Sequence, residues 1–364
     1  MRIIPLKLKL LEYLPIIEKI LLISNELIKE AYISELLNDF INTILKSTPE
    51  GHYLDLNERL IIALSNLLKI EYTKDLCPMI EEAYNKIRIW DEIIKDVLNG
   101  KKSSQEVKNV FIPLLENVIS QDEKILGHLE TLTIKVIKSK TSNQFIIVPS
   151  EKELEYLIDE QIKISWNLAI SYVKNYNRKI DEFHEVIIQF NSRIGFCRGN
   201  SLGLALTIKF IEELLKLYNS KFLIEVTERI AITGRINENG KVLQVGKEII
   251  TKKIELIFYS SLEKLVLSKE DEVYALEKLN KLKEIYPKRN LKIYTVEDIE
   301  DLLNRRNLVS IIKQKPIKRA AKFAKEHLPS VSFAVLMTIF LLTYLQLTLM
   351  IILLSLPLMV KMPT

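Results

Sequence analysis

Over the first third of the chain, apolar residues recur at intervals of three and four. That spacing predicts helices in LIKEAYISELLNDFINTILK (27–46), LNERLIIALSNLLKI (56–70), PMIEEAYNKIRIWDEIIKDVL (78–98) and VKNVFIPLLENVI (107–119). TPEGH and NGKKSS supply turns between them. The opening MRIIPLKLKLLEYLPIIEKILL reads as an amphipathic helix interrupted by Pro5 and Pro15. Its Lys and Glu residues break the apolar run, so it is not expected to be a signal peptide or a span. Near residue 131 the period changes to two. TLTIKVIK and FIIVPS predict a β-hairpin, followed by an amphipathic helix over about 154–176 and a strand, EVIIQF. A helix is expected to open at Ser201 and run to about Tyr218. ERIAITGRINENGKVL predicts strand, turn and strand, with Asn239 and Gly240 in the turn. KLVLS and LKIYTV are further short buried strands alternating with helices.

The pattern changes again at the end. Residues 331–360, VSFAVLMTIFLLTYLQLTLMIILLSLPLMV, carry no charge. About 20 apolar residues cross a bilayer core, so this run predicts a transmembrane helix. Lys313, Lys315, Lys318, Arg319, Lys322 and Lys325 precede it and only Lys361 follows, which places the rest of the chain on the cytoplasmic side. The expected organisation is a helical region over 1–128, a mixed α+β domain over 129–308, a basic juxtamembrane linker over 309–329 and a membrane helix over 330–360.

Composition narrows the chemistry. With 364 residues, 48% hydrophobic and 27% charged, the chain suits a globular protein, and a net charge of +5 is mild for that length. No aromatic-interleaved basic stripe appears, so nucleic acid is not an expected partner. Cys77 and Cys197 make no disulfide framework, and four scattered histidines without CxxC or HExxH suggest no metal. No GxxxxGK[ST] occurs, so no ATP site and no cofactor are expected.

Six of the nine glycines fall between Gly195 and Gly246, around Ser201 in GNSLG. Glycine serves where backbone approaches closely or takes positive φ, so the cluster suggests a constructed site around Ser201, whose other reading is a helix N-cap. A serine nucleophile needs a base. The one histidine after Ser201 is His327, in the basic segment, and His184 precedes a strand, so a histidine triad is not expected. A buried lysine is the remaining candidate.

Those residues carry a resemblance. The stretch from about 130 to 308 resembles the proteolytic domain of Lon-type serine peptidases. RGNSLG stands where the family has a DGPSAG-like motif, followed here by ITGR, NG, KVLQVG, TKKIELI and LKIYTVEDIEDLL in the family's order; AISYVKNY resembles the helix before the serine. The resemblance implies a Ser-Lys dyad of Ser201 and Lys253, with Lys247 and then Lys252 as runners-up, and Thr233 in support. It also implies homo-oligomers. Arg198 and Arg235 replace family acids, and the second glycine after KVLQV and the prolines before the serine are absent. The expected function is a membrane-anchored, ATP-independent endopeptidase acting on flexible or partner proteins. The alternative is an inactive Lon-like scaffold tethered to the membrane. The sequence names no substrate.

Overall fold

A computed structural model describes residues 6–47, 54–102, 109–117, 125–148, 152–177, 179–190, 201–317, 319, 337–338 and 340–348. In chain order the elements are α1 (Leu6–Leu21), α2 (Glu26–Lys46), α3 (Leu54–Leu67), α4 (Cys77–Leu98), β1 (Val110–Asn117), β2 (Ile125–Ser139), β3 (Gln144–Val148), α5 (Lys152–Lys174), β4 (Phe183–Phe190), α6 (Gly203–Leu217), β5 (Phe222–Val226), β6 (Ile230–Ile232), β7 (Arg235–Ile236), β8 (Val242–Leu243), α7 (Lys247–Phe258), β9 (Lys264–Ser268), α8 (Glu272–Ile285), β10 (Lys292–Val296), α9 (Ile299–Asn304) and β11 (Val309–Lys313). The protein is therefore of mixed α+β class, with a mixed sheet.

The four N-terminal helices follow their apolar periodicity. Asn25 caps α2, its side chain accepting from the N–H groups of Leu27 at 3.1 Å and Ile28 at 3.2 Å. Leu10, Leu14, Phe40, Leu60, Ile80 and Ile87 close one core. A second core joins Phe111 and Leu129 of the sheet to Ile250, Ile254 and Ile257 of α7 and Ala275 and Leu279 of α8. Helix α4 serves both: Ile87 and Trp90 lie in the first, Ile94 and Leu98 in the second.

Seven strands form the sheet in the order β10-β9-β6-β1-β2-β4-β3. Strands β10, β9, β6 and β1 run parallel; β2 is antiparallel to β1 and β4, and β3 is parallel to β4. Two expectations need correcting here. Residues 110–117 are not helical but form β1, inside the sheet. Pairing of β1 with β6 stops at Phe111, two residues before Pro113, where a strand can accommodate a residue without an N–H. Nor do 131–138 and 145–148 form a hairpin, because β4 lies between β2 and β3. Val186, Ile188 and Phe190 give β4 the burial of an interior strand, whereas β3 buries only Ile147 and sits at the edge. The NENG turn forms as expected, between β7 and β8, with Gly240 at φ 78°.

The chain divides into two compact units, one of 1–218 and 224–312, the other of 219–223 and 313 onward. In the second, the Asn219 side-chain amide donates to the Arg319 carbonyl at 3.0 Å. Most of the 330–360 segment lies outside the described residues. Among those described, no helix is long and apolar enough to cross a membrane. The helical residues within 337–348 expose Phe340, Leu342, Tyr344 and Leu347 by 58% or more.

Candidate active site

Helix α6 begins at Gly203 with Leu202 as its N-cap and no side-chain capping bond. The Ser201 hydroxyl is thus not spent on the helix. Its backbone is fixed instead by a reciprocal pair: Gly234 N–H donates to Ser201 O at 2.8 Å, and Leu204 N–H donates to Gly234 O at 3.1 Å. One residue earlier, Thr233 N–H donates to Val266 O at 2.9 Å, which ties the end of β6 to β9. The ITG segment and the serine turn are therefore held face to face by main-chain bonds.

Close approach explains the glycines. A Cβ on Gly203 would run into the Gln161 carboxamide oxygen and come within 2.9 Å of Ile236 Cγ2; one on Gly234 would lie 2.6 Å from Val242 Cγ1. Gln161 pairs with the main chain of β7, accepting from Ile236 N–H at 3.0 Å and donating to Ile236 O at 3.1 Å. One turn on, the Ser165 hydroxyl donates to Gly203 O at 2.9 Å, an acceptor shared with Thr207. Gln161 and Ser165 were not anticipated from the sequence. The available signal was two polar residues on the buried stripe of α5 between Ile158 and Ala169.

The third wall is α7. Gly246 precedes it at φ 97°, a conformation that suits glycine. On this helix Ile250, Lys253, Ile254 and Ile257 share the buried face. Lys253 is only 1% exposed, and its Nζ donates to Ser201 Oγ at 2.7 Å and to Thr233 Oγ1 at 2.7 Å. Thr233 is 1% and Ser201 9% exposed. Three residues from three separate segments thus meet at one amine. Lys247 and Lys252 do not join them. Both are exposed, and Lys247 Nζ lies over the Tyr274 ring at 5.6 Å.

Asp271 stands behind α7, fully buried. Its oxygens accept from Val245 N–H at 2.8 Å and Gly246 N–H at 3.2 Å. Burial pushes its carboxyl above the usual range, against the opposing pull of those two N–H groups and of the Lys253 charge. Arg235 is exposed, 3.9 Å from Glu160. Arg198 and the glycines at 195 and 199 lie outside the described residues. His184 serves elsewhere, its Nε2 lying 2.6 Å from the Tyr218 hydroxyl. Among the described residues, no group of three or more His, Cys, Asp and Glu side chains is placed to hold a metal ion. No family model matches the chain, and no curated protein matches it.

Chemically, a serine hydroxyl within 2.7 Å of a buried lysine amine is a nucleophile with its base at hand. Burial disfavours the ammonium form of a lysine in general, and the neutral amine is the form that accepts a proton.

Proposed function

We propose that the chain is a serine endopeptidase of Lon type that works through a Ser-Lys dyad without ATP. The observation that carries this reading is the 2.7 Å contact between Lys253 Nζ and Ser201 Oγ in a buried setting lined by Gly203 and Gly234. Ser201 Oγ attacks the peptide carbonyl carbon, and the carbonyl π electrons move to oxygen. Neutral Lys253 takes the hydroxyl proton and passes it to the amine that leaves when the C–N bond breaks. Water then attacks the ester, with the same lysine accepting and returning the proton. Thr233 Oγ1, also 2.7 Å from Nζ, keeps the amine aimed during both transfers.

The order of motifs from RGNSLG to LKIYTVEDIEDLL supports the family assignment, the exposed apolar side chains of 340–347 support a C-terminal membrane anchor, and the basic residues from Lys313 to Lys325 support a cytoplasmic dyad. The scaffold alternative expects Lys253 turned away from the serine, or the serine blocked; the short contact disfavours the first of these. The deciding experiment is cleavage of an unfolded protein by the full chain in detergent micelles, without nucleotide, beside Ser201→Ala. Cleavage lost only in the variant supports the reading. Equal cleavage by both forms, or none by either, sinks it.

A further inference from the structure

The height of the base depends on where α7 starts. Lys253 lies seven residues beyond Gly246, about two turns along the same face. No side chain caps this helix at Gly246. The turn before it is held instead from the last residue of β9 and the segment that follows it. Ser268 Oγ donates to Val242 O at 3.0 Å, Glu270 accepts from Gln244 N–H at 3.2 Å, and Asp271 takes the next two N–H groups, those of Val245 and Gly246. Asp271 alone among these is both fully buried and charged. The charges that bear on it are Lys253 from α7 and Glu270 from its own segment; Lys241, from the NENG turn, lies 3.4 Å from Glu270.

We propose that Asp271 is a positioning residue for the base: its carboxylate fixes the turn that launches α7 and sets the charge balance of Lys253. The proposal rests on the peptidase reading. Both oxygens are used on main-chain donors, so the group is not a proton carrier. As a fixed negative charge it favours the ammonium form of Lys253 and so sets the pH at which the neutral base becomes available.

Asp271→Asn keeps the shape and one acceptor oxygen but removes the charge; Asp271→Ala removes both. In the full chain, Asp271→Asn is expected to move the acid limb of kcat/KM to lower pH by about half a unit or more. Asp271→Ala is expected to lower kcat about tenfold or more, through misplacement of the amine. A second readout needs no turnover: trace acetylation of Lys253 by acetic anhydride across pH, scored by peptide mass spectrometry in a Ser201→Ala background. Its midpoint should shift in the same direction with Asp271→Asn. An acid limb and an acetylation midpoint both unchanged in a folded Asp271→Asn chain overturn the proposal, and that variant decides it even where Asp271→Ala fails to fold. If no form cleaves substrate, the peptidase reading falls on its own test, while the acetylation midpoint still decides whether Asp271 governs Lys253.

Discussion

Helix α6 carries a polar cluster at each end, each with one buried nitrogen base, Lys253 or His184. At its start, Ser201 meets Thr233 and Lys253. At its end, Tyr218 meets His184 at 2.6 Å and Asp181 at 3.1 Å, and Lys138 holds Asp181 at 2.9 Å. Both clusters contain a hydroxyl and a nitrogen base, yet they are built differently. The first is assembled by main-chain pairing and by glycines that let three segments converge. The second is packed among aromatic rings, with Trp166 edge-on to His184 at 5.2 Å. Its hydroxyl is a phenol that burial pushes further from ionising. Among the described residues, His184 Nδ1 is buried without a partner, so nothing orients the imaginable base from behind. The histidine end is a latch that closes α6 onto β4. Burial of a titratable group does not by itself make chemistry; the pairing and its backing do.

The difference can be broken at its strongest point first. Ser201→Ala should lower cleavage at least about 10³-fold, and Lys253→Met by a similar factor, with the double variant no worse than either single one. Strictly additive losses in steady-state kinetics would show that the two side chains do not act as a unit. Thr233→Val should cost about tenfold in kcat, the scale of one hydrogen bond to the base; an unchanged kcat would remove Thr233 from the site. Gly203→Ala should destabilise the fold by roughly 1–3 kcal/mol in denaturant melts, because the new methyl meets Gln161 and Ile236. At the latch the effect is smaller and concerns stability alone. Burial holds the His184 pKa below its usual value of about 6.5. The unfolded chain therefore binds the proton first as pH falls. The stabilisation is complete above the unfolded value and is lost as pH drops toward and through the folded one. Calorimetry from pH 7.5 to 5 should show Tm falling in the parent chain and a shallower fall in His184→Gln. Parallel slopes would assign the acid sensitivity to other groups.

Much of this arrangement was legible in the residues, and the omissions have physical causes. Helices α2 to α4 advertise themselves through one apolar face each. Strand β1 does not, because VFIPLL is a short apolar run that fits either period, and its strand state depends on β2, next in the chain, and on β6, far along it. The 131–148 hairpin was read from local alternation, which carries no information about β4 inserting between the two strands. For the site, Ser201 stood out through its glycines, and Thr233 and Lys253 through the resemblance. Lys253 had a local signal as well, since it lies within the apolar stripe Ile250, Ile254, Ile257; Lys252 lies off that stripe, and Lys247 stands at its first turn, ahead of the buried residues. Asp271 had none. It sits in the run KEDE, where nothing local distinguishes the buried acid from its exposed neighbours.

Helix α4 can be viewed as a beam. Its 22 residues make a rod about 33 Å long, with one end clamped in the N-terminal helices and the other in the packing that also grips α7. A rod transmits torque where a flexible linker would absorb it. Through Ile94 and Leu98 the N-terminal helices thus share one stiff element with the packing that holds Ile250 and Ile254, the residues on either side of the lysine's turn.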